Sequence, residues 1–267
     1  TLFRGSLRSK IYVDKSGLIE KTNDLICTEQ KYVCVSRPRR FGKSMAANML
    51  AAYYKRDEDT RALFDKLMIS QAQSYKEHLN QYDVIRINMQ QFLSETHSME
   101  EMLSKICNYL IQDLQEAYEQ IRFREKTSLV QTMKDVFANT GHPFVILIDE
   151  WDCLFREYQQ DKDAQKKYLD FLRVWLKDQD YVGLAYMTGI LPIKKYGSHS
   201  ALNMFIEYSM TDPGDMAQYF GFTEEEVGEL CQEYDMSFEE TKAWYDGYGL
   251  CTHSRYGDQH YSMYSPK

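Results

Sequence analysis

Residues 31–55 constrain the fold of this chain more tightly than any other stretch. An apolar run, Tyr32-Val33-Cys34-Val35, leads into Ser36-Arg37-Pro38-Arg39-Arg40-Phe41-Gly42-Lys43-Ser44, and an Ala-, Met- and Leu-rich segment follows. The pattern predicts a buried strand over 31–35 and a helix over 44–55, with the loop between them. A Gly-Lys-Ser triplet at the start of a helix points backbone N–H groups into one concavity. It also sets the positive end of the helix dipole there, an arrangement suited to phosphate. Lys43 is expected to reach the outer phosphates and Ser44 to place its hydroxyl on Mg²⁺, with Arg37, Pro38, Arg39, Arg40, Phe41 and Gly42 forming the cradle. The usual pattern has glycine where Arg37 stands, and arginine must adopt the loop conformation with a Cβ present. Arg37 is therefore expected to add charge near the phosphates, Pro38 to stiffen the loop, and Arg39 with Arg40 to make its rim basic. From these residues alone, a basic turn before an ordinary amphipathic helix would read the same way.

A second segment favours the nucleotide reading. Phe144-Val145-Ile146-Leu147-Ile148-Asp149-Glu150 is a continuous apolar strand ending in two carboxylates, the form of a Walker B segment. Parallel strands buried on both faces read as unbroken hydrophobic runs, and their C-terminal ends face the ligand. Asp149 is the candidate Mg²⁺ residue, and Glu150 the candidate that polarises an attacking water. Asp152 reads as the cap of the next helix or as a residue supporting the site, the cap being the preferred reading. The run Tyr181-Val182-Gly183-Leu184-Ala185-Tyr186-Met187-Thr188-Gly189 predicts another buried strand. Thr188 then stands where an additional-strand ATPase carries its γ-phosphate sensor, although Thr-Gly is also a plain turn signal.

Helices are expected over 16–28, 57–66, 99–122, 128–139 and 164–177, with further strands at 84–88 and 205–210. Strands alternating with helices imply a parallel sheet covered on both faces. After Pro213 the chain becomes acidic, with helices expected over 215–220, 223–234 and 237–245. Thr223-Glu224-Glu225-Glu226 has the form of a capping box.

Forty acidic against 32 basic residues give a formal charge of −8, which argues against wholesale electrostatic binding to nucleic acid. Any DNA contact is expected to be indirect. Cys27, Cys34, Cys107, Cys153, Cys231 and Cys251 lack paired zinc-site spacing and read as reduced, buried thiols of a cytoplasmic protein. No apolar run approaches bilayer length and no signal-peptide core is visible, so no membrane partner is expected. The histidines share no ligand spacing.

Four segments carry a family resemblance: Tyr12-Val13-Asp14-Lys15-Ser16, the loop at 37–44, Leu147-Ile148-Asp149-Glu150-Trp151-Asp152, and the distal pair Phe220-Gly221-Phe222-Thr223-Glu224-Glu225-Glu226-Val227 and Trp244-Tyr245-Asp246-Gly247-Tyr248. Together they resemble the AAA-ATPase-like domain of bacterial proteins that usually continue into a PD-(D/E)XK nuclease-like domain. Arg37 agrees with that family, and Trp151 stands where the family more often has tyrosine. The resemblance implies an α/β P-loop NTPase three-layer sandwich with a mostly parallel sheet of additional-strand type. It also implies an ATPase core over 1–212, and over 213–267 a small helical lid with the start of a linker. Tyr261-Ser262-Met263-Tyr264-Ser265-Pro266 resembles the lead into the C-terminal domain, so the chain is expected to be cut at a domain boundary. Tyr12 resembles the residue that packs by adenine in archaeal-type and signal-transducing ATPases, or it is simply core. Trp244 and Tyr248 transmit nucleotide state or, as the preferred reading, anchor the lid.

The expected activity is Mg²⁺-dependent ATP binding and hydrolysis, regulating an attached nuclease-like domain. Glu150, Lys43 and Thr188 are the catalytic candidates, and turnover is slow unless an arginine completes the site. Arg156, Arg173, Arg255 or a residue of another subunit in a homo-oligomer could supply it. The alternative is a nucleotide-bound regulatory or scaffold module that does not hydrolyse. No lysine-bearing nuclease arrangement stands on a convincing strand pair within this chain.

Overall fold

The computed structural model describes residues 1–193, 202–245, 247–254 and 257–266. Five strands form the main sheet: β1 (Tyr32–Ser36), β2 (Asp83–Asn88), β3 (Phe144–Asp149), β4 (Val182–Gly189) and β5 (Ile206–Tyr208). All pair in parallel, in the order β2-β3-β4-β1-β5. β4 therefore lies between the loop-bearing strand β1 and the acidic strand β3, as the additional-strand reading requires. Their registers bring Val35 beside Thr188 and Ile148 beside Met187, so the functional ends of the three strands lie together.

Every residue of β1, β3 and β4 is buried, which explains their unbroken apolar sequences. Alternate side chains leave on opposite faces. Cys34, Ile146, Ile148 and Met187 join one core with Met102, Ile106, Met133, Tyr168, Leu172 and Trp175 from the helices Met99–Ala117, Leu129–Thr140 and Lys162–Leu176. Val33, Val35, Val145, Leu147 and Tyr186 join the other with Leu18, Ile19, Met49, Leu50 and Tyr53, from Gly17–Leu25 and Lys43–Tyr54. Two helical layers thus enclose the sheet.

Several expectations change in tertiary context. Only Arg61–Phe64 is helical within the helix expected over 57–66. Thr60 Oγ1 donates to the Ala52 carbonyl at 2.7 Å and Asn80 Nδ2 to the Lys55 carbonyl at 2.7 Å, so side chains take the acceptors at the preceding helix end and turn the chain. The segment at 215–220 is a 3-10 helix, Gly214–Tyr219. The expected helices Glu224–Glu233 and Phe238–Tyr245 form, and Thr223 makes the reciprocal capping box with Glu226.

The lead-out segment at 261–266 is largely strand. β6 (Phe222–Thr223), β7 (Tyr248–Ser254) and β8 (Gly257–Tyr264) make an antiparallel sheet in the order β6-β8-β7. Leu250 and Met263, on alternating positions of this hairpin, enter the same core as Val35 and Phe41. The C-terminal part is therefore helical and stranded, and packed directly against the loop-bearing layer.

Candidate nucleotide site

The loop leaves β1 at Ser36 and reaches the helix Lys43–Tyr54 through two left-handed residues, Arg40 at φ 70° and Gly42 at φ 79°. A Cβ on Gly42 would have room, its nearest neighbour being Met45 Cε at 3.9 Å, so the backbone conformation is what calls for glycine there. No described backbone carbonyl accepts from the amides of Gly42, Lys43 or Ser44. These are the unpaired donors that a helix N-terminus offers an anion.

Those amides border an open cavity of about 1110 Å³. Arg39, Arg40, Gly42, Lys43 and Ser44 line it from the loop, Asn88 from the end of β2 and Gln90 from just beyond it, and Glu150 and Arg156 from beyond β3. The N-terminal segment adds Ile11, Tyr12 and Val13, and the C-terminal segment adds Phe222 and Pro266. The fold thus brings Lys43, Ser44, Arg39, Arg40, Gly42, Tyr12 and Glu150, all candidates from the sequence, to one cavity. Tyr12 is half-buried, and its ring meets Phe3 edge-on at 6.3 Å, so it serves the core and the cavity wall together.

Lys43 Nζ donates to the carbonyls of Arg37 at 2.9 Å and Pro38 at 2.7 Å, which folds the lysine back along its own loop. Burial pushes its pKa below the ordinary lysine value, while the carboxylates of Glu150, Asp149 and Asp152 oppose that fall. Asp149 is buried and does not line the cavity. Its Oδ1 accepts from the Thr188 hydroxyl at 2.5 Å and the Glu150 amide at 3.1 Å, whereas Oδ2 is buried with no hydrogen-bond partner. Thr188 is fully buried and absent from the cavity wall; its hydroxyl meets Asp149, and its carbonyl accepts from the Trp151 amide at 3.0 Å. Glu150 has left-handed backbone, φ 57°, and its carboxylate accepts from Arg156 Nη2.

Arg37 corrects an expectation. It is wholly buried and does not line the cavity. Its Nη1 donates to the carbonyls of Ser36 at 3.0 Å and Tyr208 at 2.8 Å, and the guanidinium lies 5.6 Å from the Phe220 ring centre. Burial lowers its pKa to about 10. The residue replacing the first loop glycine ties the loop to β5 and to the segment before β6 instead of facing the cavity. Pro38 and Phe41 are likewise absent from the cavity wall. Phe41 is buried, its carbonyl accepts from the Gly221 amide at 3.2 Å, and its ring meets Tyr248 edge-on at 5.4 Å.

Asp152 also departs from its expected cap. It precedes the helix Cys153–Glu157, and its side chain accepts from none of that helix's amides. Its Oδ2 instead accepts from Ile190 N at 3.0 Å and Leu191 N at 2.8 Å, fixing the chain just beyond β4. Of the distal aromatics, Tyr248 does anchor, through Phe41, but Trp244 is 83 % exposed and anchors nothing. Arg173 pairs with Asp170 on its own helix, away from the cavity wall. Arg255 and Asp246 lie outside the described residues.

Asp14 and Lys15, in the segment Tyr12-Val13-Asp14-Lys15-Ser16, hold partners that their local sequence does not reveal. Asp14 accepts from the amides of Ser16 at 2.8 Å and Met68 at 2.6 Å. Lys15 Nζ donates at 2.6 Å to Glu226 and to the Gln218 carbonyl, bolting the C-terminal helices to the segment beside the cavity.

Several known proteins are similar to this chain. A curated protein of Azotobacter chroococcum mcd 1, named as an uncharacterized protein in the vnfD 5' region, is 25% identical over 244 residues, 89% of this chain; the chain spans 45% of that relative's length. Among solved structures, the Aeropyrum pernix ORC2 protein in ADPNP–ADP complexes is similar with a TM-score of 0.43 and 10% identity, over 82% of this chain and 50% of that one. The Aeropyrum pernix ORC1 protein in complex with DNA is similar with a TM-score of 0.47 and 11% identity, over 87% and 51%. The profile of a family described as predicted AAA-ATPase matches residues 6–198, well over half of the chain, and with its parallel sheet and phosphate-type loop this chain belongs to that family.

Proposed function

We propose that the chain binds ATP with Mg²⁺ and hydrolyses its terminal phosphoryl bond. The observation that carries this reading is the meeting, in one cavity, of unpaired helix-start amides, Lys43, Ser44 and Glu150. The amides and Lys43 supply positive charge for the β- and γ-phosphates, with Arg39 and Arg40 at the rim. Asp149 fits a metal role because Oδ2 is a buried carboxylate oxygen without a partner, and Ser44 is exposed to the cavity. These two residues would hold Mg²⁺, which supplies neutralisation of phosphate charge. Glu150 orients the attacking water. Thr188 holds Asp149 Oδ1 and so leaves Oδ2 for the cation.

Calorimetry with ATP and ADP in the presence of Mg²⁺ tests the binding step. Lys43→Ala should abolish binding, and retained affinity in that variant removes the site. Glu150→Gln should bind ATP and stop turnover, and unchanged turnover removes Glu150 from the chemistry. A second reading, a module that binds nucleotide without hydrolysing it, is favoured by the ion pair that engages Glu150. Turnover equally negligible in the wild type and in the Glu150→Gln variant would establish it.

The longer relative, of which this chain spans 45%, supports a further proposal, that nucleotide state controls an attached domain. Assignment of that domain as nuclease-like rests on the sequence resemblance alone.

A further inference from the structure

Glu150 and Arg156 form an ion pair on the wall of the same cavity as Lys43 and Ser44. Their side chains are 27% and 18% exposed, so the pair is largely shielded and yet reaches the cavity. Neighbouring groups fix Glu150 and leave the arginine only partly engaged. The Glu150 amide is tied to Asp149 Oδ1 at 3.1 Å. Arg156 reaches Gln90 Oε1 at a long 3.4 Å, and its Nε is buried with no hydrogen-bond partner, 3.7 Å from an Asp152 oxygen already taken by two amides. A guanidinium holds five N–H donors in a planar fork suited to phosphate oxygens.

We infer that Arg156 is a γ-phosphate-operated switch, exchanging its pairing from Glu150 to the terminal phosphoryl group of a bound nucleoside triphosphate. The inference rests on the nucleotide reading above and deepens it. With the cavity empty or filled by a diphosphate, Glu150 is neutralised by Arg156 and held from water. A triphosphate brings more charge and several acceptor oxygens to the same wall, takes the guanidinium, and leaves the Glu150 carboxylate able to orient water. Arg156 thereby discriminates triphosphate from diphosphate and positions Glu150 from within its own chain.

The test is calorimetric binding of Mg²⁺ with ADP, or with a non-hydrolysable ATP analogue, to the wild type, Arg156→Ala, Glu150→Gln and the double variant. Thermal melting confirms that each is folded. The wild type should prefer the analogue, and Arg156→Ala should weaken the analogue about tenfold while leaving ADP within about twofold. Glu150→Gln should tighten the analogue by freeing Arg156, and that gain should vanish in the Arg156→Ala background, which the double-mutant cycle reads directly. Arg156→Lys, retaining charge without the fork, should fall between the two and serves if the alanine variant does not fold. Equal weakening of both nucleotides by Arg156→Ala would make Arg156 a structural prop. A Glu150→Gln gain that survives without Arg156 would reduce the effect to simple repulsion. Failure of the wild type to bind either nucleotide strikes the nucleotide reading itself, a result visible without any variant.

Discussion

Arg37 and Lys43 stand six positions apart in one loop and do opposite work. The guanidinium of Arg37 is a buried tie between Ser36, Tyr208 and Phe220, so its loss leaves the Tyr208 carbonyl without that donor and opens the space beneath the loop. Arg37→Ala should cost about 2–4 kcal/mol of stability in a denaturant titration, with nucleotide affinity of the folded protein within about threefold of wild type. A collapse of affinity at unchanged stability would restore Arg37 to the phosphates. In the proposed site Lys43 serves the ligand. Because burial lowers its pKa, the empty-site amine loses its proton at a lower pH than an ordinary lysine. A phosphate favours the charged form and raises that pKa again. Nucleotide affinity should therefore fall as pH rises through the lowered value, and calorimetry across alkaline pH in the wild type reads it. Affinity held constant up to the ordinary lysine value of 10.5 would contradict the site.

At the scale of elements, the C-terminal segment grips the core at two points near the cavity. One is Lys15 with Glu226 and Gln218; the other is Phe41 between Gly221 and Tyr248. Gly221 has φ 83°, and a Cβ there would lie 2.9 Å from the Tyr264 carbonyl oxygen and 3.0 Å from the Phe41 ring. Backbone and space both demand glycine. Gly221→Ala should destabilise the protein by about 2 kcal/mol or more, seen as a fall in melting temperature; an unchanged melting temperature would mean that β6 yields freely. Lys15→Met keeps most of the side-chain length and leaves Glu226 without its cation. About 1–3 kcal/mol of local stability should go, and hydrogen exchange should quicken in Glu224–Glu233 before it does in β1 or β3. Uniform quickening throughout the chain would instead make Lys15 part of the global core.

Over the whole molecule, the sheet positions the loop and the C-terminal hairpin completes the layer above it. Met216, Phe220, Leu250 and Met263 are buried in one core with Val33, Val35 and Phe41. Each such side chain contributes about 1.5–3 kcal/mol, so together they rival the ~5–15 kcal/mol that keeps a domain folded. A fragment ending at residue 212 should therefore lack a cooperative unfolding transition. If it melts sharply at the temperature of the full chain, the core is independent of the segment that follows.

What sequence alone determined is local or strictly periodic. Gly42-Lys43-Ser44 announces a phosphate-type loop because three adjacent residues carry its requirements. The apolar runs ending at Asp149 and Thr188 announce buried parallel strands because water is excluded from both faces. The capping box at Thr223 was legible for the same reason, its partners being three residues apart. Tertiary structure decided whatever depends on distant partners. The acceptor that draws Arg37 inward is the carbonyl of Tyr208, and the amides that occupy Asp152 belong to Ile190 and Leu191. The hairpin left only a faint period-two signal at Tyr248, Leu250 and Thr252, and again at Tyr261 and Met263; these strands are held by each other and by the core they cover. Lys15 and Glu226 meet across 211 positions. A charged group is committed to phosphate, carbonyl or carboxylate by whichever partner the folded chain brings within reach, because leaving it buried and unpaired costs more than any local preference returns.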